Sequence, residues 1–239
     1  MATTVIHTAD SRGHANHGWL NAHHSFSFAG WYNPERIHFG VLRVLNDDIV
    51  MGGEGFGKHP HDNMEIITLV LKGALEHKDS MGHTQAIHPG EVQVMSAGTG
   101  VFHSEYNHHK EEEVNLLQIW IFPDKKNVQP RYDQRMFGAT GRANQMQILV
   151  SPIDKNEEGL KIHQDAYIYR AQLDAGKSVE HKAHSRNHGF YIFIIDGGAE
   201  INGNSLSRRD AIGISEEENI RITAEKDTDV LILEVPMQV

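Results

Sequence analysis

From Ile37 to Val50, "IHFGVLRVLNDDIV", and again from Glu65 onward, apolar residues come in short β-favouring runs separated by Gly, Pro, Asp and Asn. "EIITLVL" (Glu65–Leu71) stops at Lys72-Gly73, "ALEHKDS" (Ala74–Ser80) at Met81-Gly82, and "HTQAI" (His83–Ile87) at "HPGE". "VQVMSAGTG", "VFHSEYN" and "NLLQIWIF" follow in the same manner. This spacing predicts a meander of short antiparallel strands in a sandwich or barrel, and no stretch carries the periodicity of a long helix.

Between Pro123 and Asn144 charges, Pro and Gly replace the alternating apolar residues, which marks a linker. Beyond it "QMQILVS", "AYIYRAQL", "GFYIFIID", "DAIGI", "NIRITA" and "VLILEV" predict a second series of strands. "LVLKGALEH" and "FIIDGGAEI" share an apolar run, a Gly turn and a polar-tipped strand, so the chain reads as a duplicated all-β barrel. The expected division is residues 1–134 and 135–239.

The 239 residues can bury such cores without staples. The chain has no cysteine, which excludes disulfides, thiolate metal sites and cysteine nucleophiles and suits a reducing compartment. Any metal must be held by His, carboxylate or water. A formal charge of −10 disfavours general attraction to phosphate backbones, so no direct nucleic-acid binding is expected. The start "MATTVIHTADSRGHANHG" has no leader pattern, and the longest apolar runs are too short to span a bilayer. The expected location is the cytoplasm, with no membrane partner.

Eighteen histidines are the compositional oddity, and two placements carry chemistry. "GFGKHPH" contains His59-x-His61, and "VFHSEYN" contains His103-x-Glu105. On a strand, residues two apart share a face, with α-carbons about 6.6 Å apart. If the two segments pair, three imidazoles and one carboxylate converge at metal-bonding range. Pro60 would point away, fitting a strand end at a barrel mouth, and the glycines of "GGEGFG" permit close backbone turns there. His14, His17, His23 and His24 read as packing or capping groups, and His83, His88, His108 and His109 sit at turns. "EHKAHSRNH" (Glu180–His188) offers more imidazoles, but His181 and His184 are three apart, which does not suit one strand face. No His-x-Glu follows, so the second domain is expected to hold no metal.

Gly53, His59-x-His61 and Glu65 resemble the first cupin motif, and Gly100, His103 and Asn107 the second. More specifically, "HSFSFA", "LRVLNDD", "HPHDNMEI", "GEVQVMSAGTGVFHSEYN" and "LQIWI" resemble the pirin family of bicupins over most of residues 20–135. The resemblance implies two tandem cupin-type antiparallel β-barrel (jelly-roll) domains with one metal in the first. Two departures from the general cupin pattern stand out: Gly98 replaces a common Pro, and the fourth ligand implied by the pirin pattern is Glu105, where general cupins use the Glu of the first motif. Glu65 is therefore placed beside the site or in its pocket ahead of the ligand set.

Three imidazoles and a carboxylate suit one divalent first-row ion, Fe(II), Mn, Co, Ni, Cu or Zn, and do not choose among them; Fe(II) is the ion expected. The pirin resemblance implies quercetin 2,3-dioxygenase activity, in which dioxygen opens a flavonol heterocycle and carbon monoxide leaves. Glu105 is then the base for the 3-hydroxyl proton. Phe28, Met51, Phe56 and Met64 are candidate apolar walls for a planar substrate. A second class of function implied by the resemblance is a regulatory binding protein whose metal state controls a protein partner, with "HHKEEE" (His108–Glu113) as its candidate patch. A sugar-isomerase or storage-type cupin fits the fold but not the run Gly90–Asn107.

Overall fold

In the computed structural model, which describes residues 2–239, nearly every element is a strand; the two helical segments are single 3-10 turns, Ala9–Ser11 and Ala139–Arg142. No helix among the described residues is long and apolar enough to cross a membrane.

The chain forms two β-domains, each a seven-stranded sheet facing a four-stranded one. In the first, the large sheet runs in the order Arg131–Met136, Glu91–Ser96, Glu65–Lys72, Val114–Ile121, Leu42–Val50, Leu20–His24 and Gly13–Asn16. Its small sheet runs Gly55–His61, Val101–Asn107, Leu75–Asp79 and Thr84–Ile87. In the second domain the central strands of the large sheet are His188–Asp196 and Thr228–Pro236, and the small sheet begins with Ser178–Lys182 paired to Asn219–Ala224. Among the described residues every strand pair is antiparallel apart from one parallel pair between Gln147–Pro152 and Leu160–Ile162. The expected all-β bicupin architecture is the one observed.

The central strands are apolar on both faces because each face meets a core. Ile67 and Leu69 join Tyr191, Phe193, Leu231 and Leu233 in one cluster between the two large sheets. The alternate residues turn into the barrels: Val70 packs with Leu75 and Ile87, and Phe190 and Ile192 pack with Ile220 and Ile222. Period-2 geometry thus divides one continuous run such as "FYIFII" between two cores. Each fully buried aliphatic side chain there contributes about 1.5–3 kcal/mol relative to an exposed one, so the interface between domains is itself a principal core.

The linear boundary at residues 134 and 135 needs two corrections. The strand Thr3–His7 leaves the first domain and pairs with Ala211–Ser215 at the edge of the second domain's large sheet. The stretch read as linker contains the strand Arg131–Met136, which pairs with Glu91–Ser96 and keeps the first domain's sheet running to Met136. Its charged, half-exposed composition is that of an edge strand, which explains why no apolar alternation announced it.

Candidate metal centre

The two histidine segments do pair. In the antiparallel register of Gly55–His61 with Val101–Asn107, His103 lies opposite His59 and Val101 opposite His61. Gly55–His61 is the edge of its sheet, so Pro60, exposed opposite Phe102, costs no ladder bond. A bulge between His103 and Glu105 brings Glu105 opposite Phe56. Such an extra residue re-aims the side chains beyond it. Gly55 is required at this point because a side chain there would strike the backbone of Glu105 and Tyr106. Gly98, at φ 49°, occupies a conformation closed to proline, which accounts for the departure from the cupin pattern.

The rings of His59, His61 and His103 form a tight triangle, with centroid separations of 4.9, 4.4 and 4.9 Å. One ligand atom from each lies within 4.8 Å of the others. His103 Nε2 is buried with no hydrogen-bond partner, an arrangement that leaves a buried lone pair or N–H unpaired unless an ion meets it. His59 Nδ1 is 2.8 Å from the Gly57 carbonyl, which fixes that nitrogen as the donor and frees Nε2 for coordination. Burial first, then repulsion from His103 and His59, lowers the His61 pKa to about 4. Burial, His59 and His77 lower that of His103 to about 3. Both rings are therefore neutral electron-pair donors at pH 7, the form a metal requires. The donor set and the orphaned nitrogen fit a divalent ion.

Glu105 is buried and shares a group with His103 and His77, whose ligand atoms are also mutually within 4.8 Å. It thus flanks the imidazole triangle on the His103 side. Behind the triangle, His103 Nδ1 meets His77 Nδ1 at 3.4 Å, and His77 Nε2 meets Asp79 Oδ2 at 3.2 Å. Asp79 in turn accepts from the backbone N–H of Met81 and His83, which locks this supporting chain of side chains. His83, read as a turn residue, does its work here.

A cavity of about 410 Å³ opens in front of the triangle, with His59, His61 and Glu105 on its floor. Its walls include Trp19, Phe28, Phe56 and Trp120, and its polar groups include Asp48 and Gln118. Phe28 and Phe56 stand where expected. Met51 does not: it is 55% exposed outside the cavity. Met64 packs instead with Ile66, Met95 and Val101 inside the barrel. Asp48 is buried, with Oδ1 unpaired, and burial, followed by Asp47 and Glu105, pushes its carboxyl up to about 8. It enters the cavity as a neutral acid at pH 7.

Glu65 is not beside the metal centre. It shares the outward parity of Ile67 and Leu69, accepts from Ser96 Oγ at 2.7 Å, and bonds a backbone group of His163 in the second domain. A place beside the site would need one straight strand from His59 through Glu65; Asn63, at φ 43°, turns the chain between them.

The premise that His181 and His184 cannot converge also fails. The strand ends at Lys182, and the turn beyond it returns His184 to the barrel mouth, where His181, His184 and Glu234 offer ligand atoms within 4.8 Å of one another.

Two antiparallel barrels packed back to back, the first with a histidine triangle at its mouth, define a bicupin with a metal-type centre. The chain belongs to the pirin family: residues 5–121 match the Pirin family profile, and residues 148–235 match that of the quercetinase C-terminal cupin domain. It is 45% identical to quercetin 2,3-dioxygenase of Escherichia coli K12, across 97% of this chain and 98% of that protein. A pirin-like protein of Caulobacter vibrioides is 39% identical, across 94% and 96%. The solved bacterial pirin YhhW of Escherichia coli in complex with nickel(II) superimposes with a TM-score of 0.93 at 42% identity, covering 99% of this chain and 100% of that one.

Proposed function

We propose that this chain is a metal-dependent dioxygenase of flavonols that opens the heterocycle in the manner of quercetin 2,3-dioxygenase and releases carbon monoxide. The observation that carries this reading is the unpaired, buried His103 Nε2 in a triangle of three imidazoles at the floor of an aromatic-walled cavity. The name borne by the Escherichia coli relative supports the same substrate class.

His59, His61, His103 and Glu105 would hold the ion, which supplies Lewis-acid and redox chemistry to a bound flavonol oxygen and to dioxygen. The donor set accepts Fe(II), the first choice from sequence, and equally the nickel(II) found in the Escherichia coli relative. Trp19, Phe28, Phe56 and Trp120 offer flat apolar faces to planar rings and exclude water. Glu105 accepts the 3-hydroxyl proton. Gln118 holds that carboxylate in place, and Asp48, kept protonated by burial, donates to a substrate oxygen.

The test is anaerobic reconstitution of metal-free protein with each first-row ion, followed by measurement of flavonol loss, dioxygen uptake and carbon monoxide release. Turnover that requires about one ion per chain and yields carbon monoxide supports the reading. A tightly held ion with no flavonol turnover under any metal would overturn it in favour of a metal-gated binding protein.

A further inference from the structure

The second barrel repeats the mouth of the first with a different set of side chains. Ser178–Lys182 pairs with Asn219–Ala224 as Gly55–His61 pairs with Val101–Asn107, and both are edge strands of four-stranded sheets. Glu234 lies opposite Phe190 in its sheet, as Trp120 lies opposite Ile66 in the first. Along Thr228–Pro236, Leu231, Leu233 and Val235 face the other domain, while Val230, Ile232 and Glu234 face the barrel interior. The sequence has therefore placed a fully buried carboxylate where the first barrel carries the indole beside His61.

Three imidazoles surround it. His188 Nδ1 is 2.8 Å from Glu234 Oε1, and the His184 backbone N–H donates to the same oxygen at 2.6 Å. These two contacts anchor one side of the carboxylate. On the other side, His181 Nε2 and His184 Nδ1 approach the single oxygen Oε2 at 2.8 and 2.9 Å. The His184 ring is held flat on Tyr167, with centroids 3.8 Å apart, and the His181 ring lies 4.9 Å from Tyr169. Two ring nitrogens, one from the end of the edge strand and one from the turn that follows it, thus meet one anchored anionic oxygen from a strand some fifty residues on, at a partly open mouth. Asp165 Oδ2, 3.4 Å from His188 Nε2, steadies that third ring. One imidazole and an amide already bind Oε1; the pair on Oε2 supplies the convergence a cation needs.

We propose that His181 Nε2, His184 Nδ1 and Glu234 Oε2 form a second site for a divalent transition metal. Two imidazoles and a carboxylate without thiolate select a borderline ion such as Zn(II), Co(II) or Ni(II) over Ca(II) and Mg(II), and water completes the coordination. His188 is the outer partner that orients the carboxylate, a common arrangement behind metal ligands. The ion would clasp the edge strand to the barrel's interior strand and stiffen the mouth. Nothing in this assignment depends on the proposed dioxygenase activity.

The experiment uses the full chain carrying His59→Ala and His61→Ala, stripped of metal and titrated with Co(II) by calorimetry and visible absorption. One equivalent is expected to bind with a ligand-field spectrum, and to raise the melting temperature. Adding His184→Ala, at an exposed position, should weaken binding at least tenfold and abolish the melting shift; His181→Asn should act alike. Absence of binding in the His59→Ala/His61→Ala chain, with its circular dichroism unchanged, would overturn the site. Binding indifferent to both His184→Ala and His181→Asn would do the same.

Discussion

Gln118 Nε2 stands 3.0 and 2.9 Å from the two carboxylate oxygens of Glu105. The amide has no choice of orientation, because Gln118 Oε1 accepts from Trp120 Nε1 at 3.2 Å. Gln118 and Trp120 are two apart on one strand, so a single inward face supplies the carboxylate's partner, the cavity wall and the link between them. Replacing Gln118 with Leu removes the donor while keeping approximate volume. Turnover should fall about 10–100-fold, as is typical when the partner of a ligating group is lost, while His59, His61 and His103 keep metal content near the wild-type value. Parallel measurement of bound metal and kcat decides it: an unchanged kcat would show that Glu105 needs no fixing.

His103 and Glu105 should separate by the same pair of measurements. His103→Ala deletes the buried corner of the triangle and should lose both metal and turnover. Glu105→Gln keeps shape and one oxygen donor but cannot take a proton; activity should drop by about 10²–10⁴-fold, the range of a general base, with part of the metal retained. Equal metal loss in both variants would reduce Glu105 to a plain ligand.

Asp48 gives a pH prediction with a definite sign. Its carboxyl is raised from an ordinary value of 3.8 to about 8 in the folded chain, so between these pH values the folded state binds more protons than the unfolded state. Stability contributed by this group therefore falls as pH rises through that window, by up to about 1.4 kcal/mol per pH unit for one proton. Asp48→Asn removes the slope. Thermal melts of the metal-free protein at pH 5.5 and pH 8 should show wild type losing stability over the interval relative to Asp48→Asn, and parallel losses would place the Asp48 proton elsewhere.

The metal triangle was legible because its information is local: His59-x-His61 and His103-x-Glu105 each fix a strand face, and only one pairing between segments had to be supplied. Trp19 reaches the same cavity from the bend before the strand Leu20–His24 and Asp48 from the strand Leu42–Val50, and no periodicity in their own neighbourhoods marks them as inward. Glu65 was misplaced by a single turn residue, Asn63, and His184 by the end of a strand at Lys182; both are failures of extrapolating period-2 geometry past its last residue. The crossing of Thr3–His7 to the second domain leaves no trace in composition, since an exposed edge strand looks alike beside either sheet. The apolar runs identified the strands, while the division of each run between barrel and interdomain core needed the packing.

An ionic pin fastens that interdomain core. Arg209 Nε lies 2.9 Å from Asp47 Oδ2, and its guanidinium also reaches Asn115 Oδ1 at 3.1 Å, so a second-domain side chain grips two strands of the first. Asp47 has Arg12 as a further partner at 3.3 Å. Both side chains of the Arg209–Asp47 pair are only 10% and 9% exposed, so truncating one leaves the other poorly solvated. Arg209→Met, which keeps most of the aliphatic stem beside Phe193, should cost about 3 kcal/mol, near the lower end for breaking a buried pair because Arg12 still faces Asp47. Urea unfolding monitored by tryptophan fluorescence measures it, since all three tryptophans lie in the first domain. A loss below about 0.5 kcal/mol would mean that water screens the pair as it does a surface bridge. A loss near the expected size, matched by an equal shift in circular dichroism reporting on both domains, would show the two barrels unfolding as one unit with Arg209 fastening them.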